Sequence, residues 1–163
     1  MIVGLDPSTK KLAFAYKIGV EINGDEKTIT NSRYSPTSSF VAYAETKHFL
    51  SGLERHVFDY ERYLFIEAPV VGRGGANTTM KQAFVSGAVQ AAAIELHWEV
   101  HLVHNSKWKK EVIGAGNATK GDIRQHVVVE FPWVEGASQD LIDAIAIQEY
   151  GEKVVAMAKE IRA

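Results

Sequence analysis

Acids stand in three places of this 163-residue chain where their surroundings would hold them fixed. Met1-Ile2-Val3-Gly4-Leu5-Asp6-Pro7-Ser8-Thr9 is a short apolar run that closes on one carboxylate and breaks at a proline, the pattern of a buried strand delivering an acid to a sheet edge. Arg62-Tyr63-Leu64-Phe65-Ile66-Glu67-Ala68-Pro69 repeats it. In Ser138-Gln139-Asp140-Leu141-Ile142-Asp143-Ala144 two acids lie three apart at an expected helix start, and such residues share a helix face. Brought together by the fold, Asp6, Glu67, Asp140 and Asp143 would line one small site. Like charges that close raise one another's pKa unless cations sit among them. Hard oxygen ligands of this kind suit Mg²⁺, with Mn²⁺ as a substitute. Two such ions about 3.5–4 Å apart clamp the attacking and leaving oxygens of a phosphodiester. The chemistry implied is metal-dependent phosphodiester hydrolysis. For Asp140 alone a capping role is the simpler account, because the helix dipole favours an acid in the first turn. Asp143, set between Leu141-Ile142 and Ala144-Ile145, is harder to dismiss.

The elements that must position these acids follow from periodicity. Apolar residues on every second position from Leu12 to Ile22 predict a half-buried strand, Asn23-Gly24 a hairpin turn, and Glu26 to Thr30 the returning third strand. Asn31 to Ser39 reads as a loop, followed by a helix whose stripe is Phe40, Val41, Ala44, Leu50, Leu53 and Val57. After the strand ending at Glu67, the segment from Pro69 to Asn77 holds three glycines and Arg73, and a loop leaving a metal site in this way is expected to touch substrate. Asn77 or Thr78 is expected to cap a long helix with Met80, Phe84, Ala88, Ala91 and Ile94 at helical spacing. Its small residues suit either a core or a dimer contact.

Val100 to His104 predicts another strand, and Asn105 or Ser106 the cap of a helix that ends in the turn around Gly114. Thr119 with Asp122 nearly matches a capping box, Phe131-Pro132-Trp133 stops that helix, and Ser138 caps the last one. His104 and His126 are read as structural. Three strands, helix, strand, helix, strand and then helices make an α/β mixed sheet with helices against it.

Composition narrows the class. With 46% hydrophobic and 23% charged residues the chain fits one globular domain over residues 1–163. It has no cysteine, which excludes disulfides and thiolate zinc, and its six histidines lack paired ligand spacing. With no leader pattern and no apolar run of membrane-spanning length, a cytoplasmic protein without a membrane partner is expected. The net charge of −2 argues against a protein that coats nucleic acid indiscriminately. Charge is nonetheless segregated: between Asn105 and His126, Lys107, Lys109, Lys110, Lys120 and Arg124 outnumber Glu111 and Asp122. A basic face beside an acidic metal site is compatible with DNA, with Arg73 and Lys81 as further candidate contacts.

Gly4-Leu5-Asp6-Pro7-Ser8-Thr9, Phe65-Ile66-Glu67, the run from Trp108 to Lys120, and Asp140-Leu141-Ile142-Asp143-Ala144-Ile145-Ala146 together resemble the RuvC family of Holliday junction resolvases. The match spans nearly the whole chain. The resemblance implies an RNase H-like fold: three antiparallel strands, then parallel ones, flanked by helices. It also implies a homodimer in which each subunit cuts one of two opposed strands of a four-way DNA junction. By that resemblance Asp6, Glu67, Asp140 and Asp143 are catalytic acids holding two Mg²⁺, Lys109 and Lys120 contact phosphate near the site, and Lys120 joins the catalytic set. Pro7-Ser8-Thr9 and the Val70-glycine loop depart from the bacterial pattern and suit a bacteriophage-type member, acting in the host cytoplasm. Three alternatives stand beside this reading: a broader fork and flap debranching nuclease, a non-catalytic junction-binding module, and an actin-like ATP-binding domain.

Overall fold

Successive residues of a strand point to opposite sides of a sheet, and the apolar pattern of the first strand exploits both sides. In the computed structural model, which describes residues 1–29, 38–55, 61–70 and 75–162, β1 (Ile2–Pro7) lies at the centre of a five-stranded sheet. It pairs antiparallel with β2 (Lys11–Ile18), which pairs antiparallel with β3 (Glu21–Thr28). On its other side β4 (Tyr63–Glu67) runs parallel to it, and β5 (Glu99–Val103) parallel to β4. The order β3-β2-β1-β4-β5 is the expected mixed sheet.

Two apolar layers sandwich it. Val3, Leu5, Leu64 and Ile66 pack on one face with α1 (Ser38–Glu54) and α2 (Gly75–Glu95). Phe65, Ala13 and Ala15 pack on the other with α3 (Asn105–Ile113), α4 (Lys120–Glu130) and α5 (Gln139–Arg162). Alternation therefore turns Gly4 and Asp6, with Phe65 and Glu67, toward α5. Gly4 is the point of closest approach: a Cβ there would lie 2.3 Å from the Ala144 carbonyl oxygen and 2.4 Å from the Gln148 nitrogen. Only hydrogen at this position lets the backbone of α5 rest on β1.

The hairpin differs from expectation. The turn is Gly19-Val20, with Ile18 opposite Glu21, and Gly19 adopts φ of 62°. Glycine first in a two-residue turn with a positive φ is the form that matches strand twist. Asn23-Gly24 lies inside β3, where Gly24 pairs with Ala15 and its missing Cβ makes room for Leu141, 2.4 Å from that point. Its glycine serves helix packing.

The helix caps divide similarly. Thr119 and Asp122 form the full reciprocal box, and Gly114 closes α3 with φ of 92°. Helix α3 starts after His104, which makes no side-chain cap, so neither Asn105 nor Ser106 plays that part. Helix α2 begins at Gly75, two residues before the first expected cap. Residues 31–37 of the expected loop, Val57 and Arg73 lie outside the described residues.

Candidate active site

Parallel pairing of Gly4 with Phe65 and of Leu5 with Ile66 makes Asp6 and Glu67 the next residues of adjacent strands, on the α5 face. Their carboxyls share a hydrogen bond. The start of α5 is pinned beside them. Ser138 Oγ accepts from the Leu141 N–H at 3.1 Å and donates to Glu26 Oε1 of β3 at 2.7 Å. This cap fixes the first turn of α5, so Asp140 and Asp143 bring their charges to bear on Asp6. The charges of the other three acids expected from the sequence all reach Asp6, although among the described residues these four carboxylates do not form a group of three within ligand distance of one another.

Burial pushes the Asp6 carboxyl well above the usual carboxylate range, and the charges of Glu67, Asp143 and Asp140 push it further. Burial likewise raises Asp143 to about 6; Glu67 adds to the rise, while a hydrogen bond from Gln139 and the charges of Lys109 and Lys120 oppose it. Four hard-oxygen donors, two of which hold protons abnormally well, are under-neutralised by their surroundings. This donor set fits divalent cations, which would replace those protons.

A stability trend follows. Between the unfolded carboxylate value of 3.8 and about 6, the folded protein holds a proton on Asp143 that the unfolded chain has released. Stability therefore falls as pH rises through this window. The loss attributable to Asp143 is about 3 kcal/mol. Metal-free protein in urea at pH 4.5 and pH 7 is expected to show the lower midpoint at pH 7, with Mg²⁺ restoring part of it. A midpoint that rises with pH would contradict the crowding of these acids.

Asp143, Lys109, Lys120, Ser106, Asn117 and Thr119 line a cleft of about 800 Å³. Lys109 is steadied at its wall by donating to the Ala118 carbonyl at 3.1 Å. The other expected DNA contacts are dispersed. Lys81 and Lys110 are exposed on α2 and α3, and Lys107 borders a separate groove with Tyr150, Val154 and Met157. Arg124 is committed to the protein: it donates to the carbonyls of Glu135 at 3.1 Å and Ala137 at 3.0 Å, and to Gln139 Oε1 at 3.5 Å.

Three residues not expected at the site touch the acids. Asn105 Nδ2 and Trp108 Nε1 both donate to Glu67 Oε1, at 2.5 and 3.3 Å, and Gln139 Nε2 donates to Asp143 Oδ1 at 2.8 Å. The signal available for Asn105 was its place at a helix start, which favours a cap. His126, read as structural from the sequence, pairs with Glu149 at 2.8 Å, and Lys153 holds the same carboxylate at 3.0 Å. His126, Glu130 and Glu149 lie within 4.8 Å of one another, and both of these contacts fall on Glu149.

Comparison with known proteins identifies relatives of the whole chain. The family model described as crossover junction endodeoxyribonuclease RuvC matches residues 2–149. Proteins of that name from Citrifermentans bemidjiense and from Geobacter sp. strain M21 are each 23% identical over 148 residues, covering 90% of this chain and 88% of theirs. Among solved structures, Thermus thermophilus RuvC in complex with Holliday junction substrate superposes with a TM-score of 0.72 at 19% identity, covering 96% of this chain and 94% of that one. A second structure of T. thermophilus RuvC gives 0.69 at 19% identity, covering 97% of both chains.

Proposed function

This chain belongs to the RuvC family of crossover junction endodeoxyribonucleases, and we propose that it is a structure-selective nuclease that resolves four-way DNA junctions. The observation that carries the reading is that the charges of Glu67, Asp140 and Asp143 all bear on the buried Asp6, and that Asp143 lines a lysine-bearing cleft. The whole of residues 1–163 acts as one nuclease domain, in the cytoplasm of the cell or of a phage host. Among the described residues no helix is long and apolar enough to cross a membrane.

Each group has a part. The four carboxylates would hold two Mg²⁺, or Mn²⁺ in their place. The chemistry supplied by the bound ions is activation of the attacking water and stabilisation of the leaving 3′ oxygen, which leaves 5′-phosphate ends. Asp143 gives up its proton near pH 6 to become a ligand, so cation affinity rises with pH through that value. Lys109 and Lys120 draw a strand's phosphates into the cleft and balance charge at Asp143. Such contacts position DNA without reading its sequence. Lys81, Lys107 and Lys110 extend the basic surface toward the junction arms, Arg124 contributes while held by the carbonyls of Glu135 and Ala137, and Arg73, outside the described residues, stays a candidate contact from the sequence.

A homodimer would place two such sites on opposed strands, and α2 offers the seam. Met80, Phe84, Gly87, Ala91 and Ile94 recur at alternating steps of four and three, the spacing of paired helices, and all five are exposed. Phe84, 61% exposed, is the largest of them. Phe84→Glu is expected to halve the mass in analytical ultracentrifugation and to uncouple the two nicks, leaving single nicks in a cruciform plasmid. An unchanged mass would move the dimer contact elsewhere.

The function is tested with labelled four-way junctions, three-way forks and matching linear duplex, each with Mg²⁺, Mn²⁺ or chelator. Symmetric, metal-dependent nicking of junctions alone is the expected result. Equal cutting of forks and flaps would make the protein a general debranching nuclease, and tight junction binding without cutting would make it a binding module.

A further inference from the structure

Glu67 is held in a way that limits how it can bind a cation. A carboxylate oxygen has about two lone-pair sites. Both sites of Glu67 Oε1 are occupied, by Asn105 Nδ2 at 2.5 Å and Trp108 Nε1 at 3.3 Å. Trp108 is fully buried, so its indole N–H has little access to water as a substitute acceptor. Both donors are neutral, and a neutral N–H fixes an oxygen without cancelling the carboxylate's charge. Asp143 carries a lighter version: Gln139 Nε2 donates to Oδ1 at 2.8 Å, while Arg124 at 3.5 Å orients the Gln139 amide.

We propose that Asn105 and Trp108 are positioning residues that engage Glu67 Oε1, leave Oε2 to exchange its contact with Asp6 for a cation as the single metal-binding oxygen, and thereby bias the site toward Mg²⁺ over Ca²⁺. Mg²⁺ demands six ligands at about 2.0–2.1 Å and is content with one oxygen per carboxylate. Ca²⁺ takes six to eight, often using both oxygens of a carboxylate. A glutamate with one oxygen already spent denies the larger ion a ligand that the smaller one does not need. The inference rests on the four-carboxylate reading of the site.

The test measures metal binding on the full-length protein without DNA. Tb³⁺ luminescence sensitised by the nearby tryptophan is titrated, then displaced by Mg²⁺ and, separately, by Ca²⁺. Asn105→Leu keeps the side-chain bulk and removes the donor, and its partial exposure protects the fold. The ratio of Ca²⁺ to Mg²⁺ affinity is expected to rise about tenfold, the scale of outer-shell effects on metal sites. A merely structural role would weaken both ions in proportion, so an unchanged ratio overturns the proposal. Asp6→Asn separates the two failures: if that variant, or chelated wild type, keeps the full Tb³⁺ signal, the four-carboxylate reading itself is wrong.

Discussion

Asp6→Asn is expected to reduce junction cleavage at least about a thousandfold, since a metal clamp contributes several kcal/mol to the transition state and each 1.36 kcal/mol is tenfold in rate. Junction binding is expected to survive. The phosphate contacts assigned to Lys109 and Lys120 lie along the cleft wall and do not involve Asp6. Asparagine keeps the shape of the side chain and removes a charge that burial and three neighbouring acids already oppose. The metal-free variant should therefore be more stable than wild type at pH 7, and the stabilisation that Mg²⁺ confers should shrink. Gel-shift binding, single-turnover cleavage and thermal melts with and without Mg²⁺ give the three readouts. Retained cleavage would remove Asp6 from the chemistry. Loss of binding together with cleavage would make it a structural residue.

The second large effect is expected at Gly4, where the site and the fold meet. The atoms a new methyl would strike, the Ala144 carbonyl oxygen at 2.3 Å and the Gln148 nitrogen and Cα at 2.4 and 2.8 Å, are all helix backbone. They cannot rotate aside. Gly4→Ala must push α5 away from β1, and overpacking of this kind costs about 1–3 kcal/mol, with the upper end expected where backbone meets backbone. The displacement also lifts Asp143, one residue from Ala144, so cleavage should fall more than the lost stability explains. Urea denaturation and cleavage at saturating Mg²⁺ check the two parts. Gly52, in α1 with nothing within 4 Å of a new Cβ, is the control, and Gly52→Ala is expected to stabilise by about 0.5–1 kcal/mol. Wild-type stability and cleavage in Gly4→Ala would mean that α5 tolerates a wider gap over the sheet.

The same contrast separates what local sequence carries from what it does not. Asp6 and Glu67 were legible because each ends an apolar strand, and period-two alternation puts both on one face once their strands are adjacent. Thr119 and Asp122 were legible because a capping box is a reciprocal contact between residues three apart. Asp140 and Asp143 stood out by helical spacing and by the apolar residues around Asp143. The order of strands and helices likewise follows from patterns within ten or so residues. Gly24, Asn105 and Arg124 were different. Asn23-Gly24 has the composition of a turn, yet the chain turns at Gly19-Val20, and Leu141, more than a hundred residues later, fills the space over Gly24. Asn105 begins a helix as a cap would, but its side chain meets Glu67. Arg124 belongs to a basic run, but three acceptors between Glu135 and Gln139 lie within its reach. The amino-acid sequence by itself determined which groups can do chemistry and which elements carry them, because those signals are local. Which neighbour each polar side chain satisfies was decided only when distant segments packed, because a hydrogen bond depends on a few tenths of an ångström between atoms that the chain does not hold together.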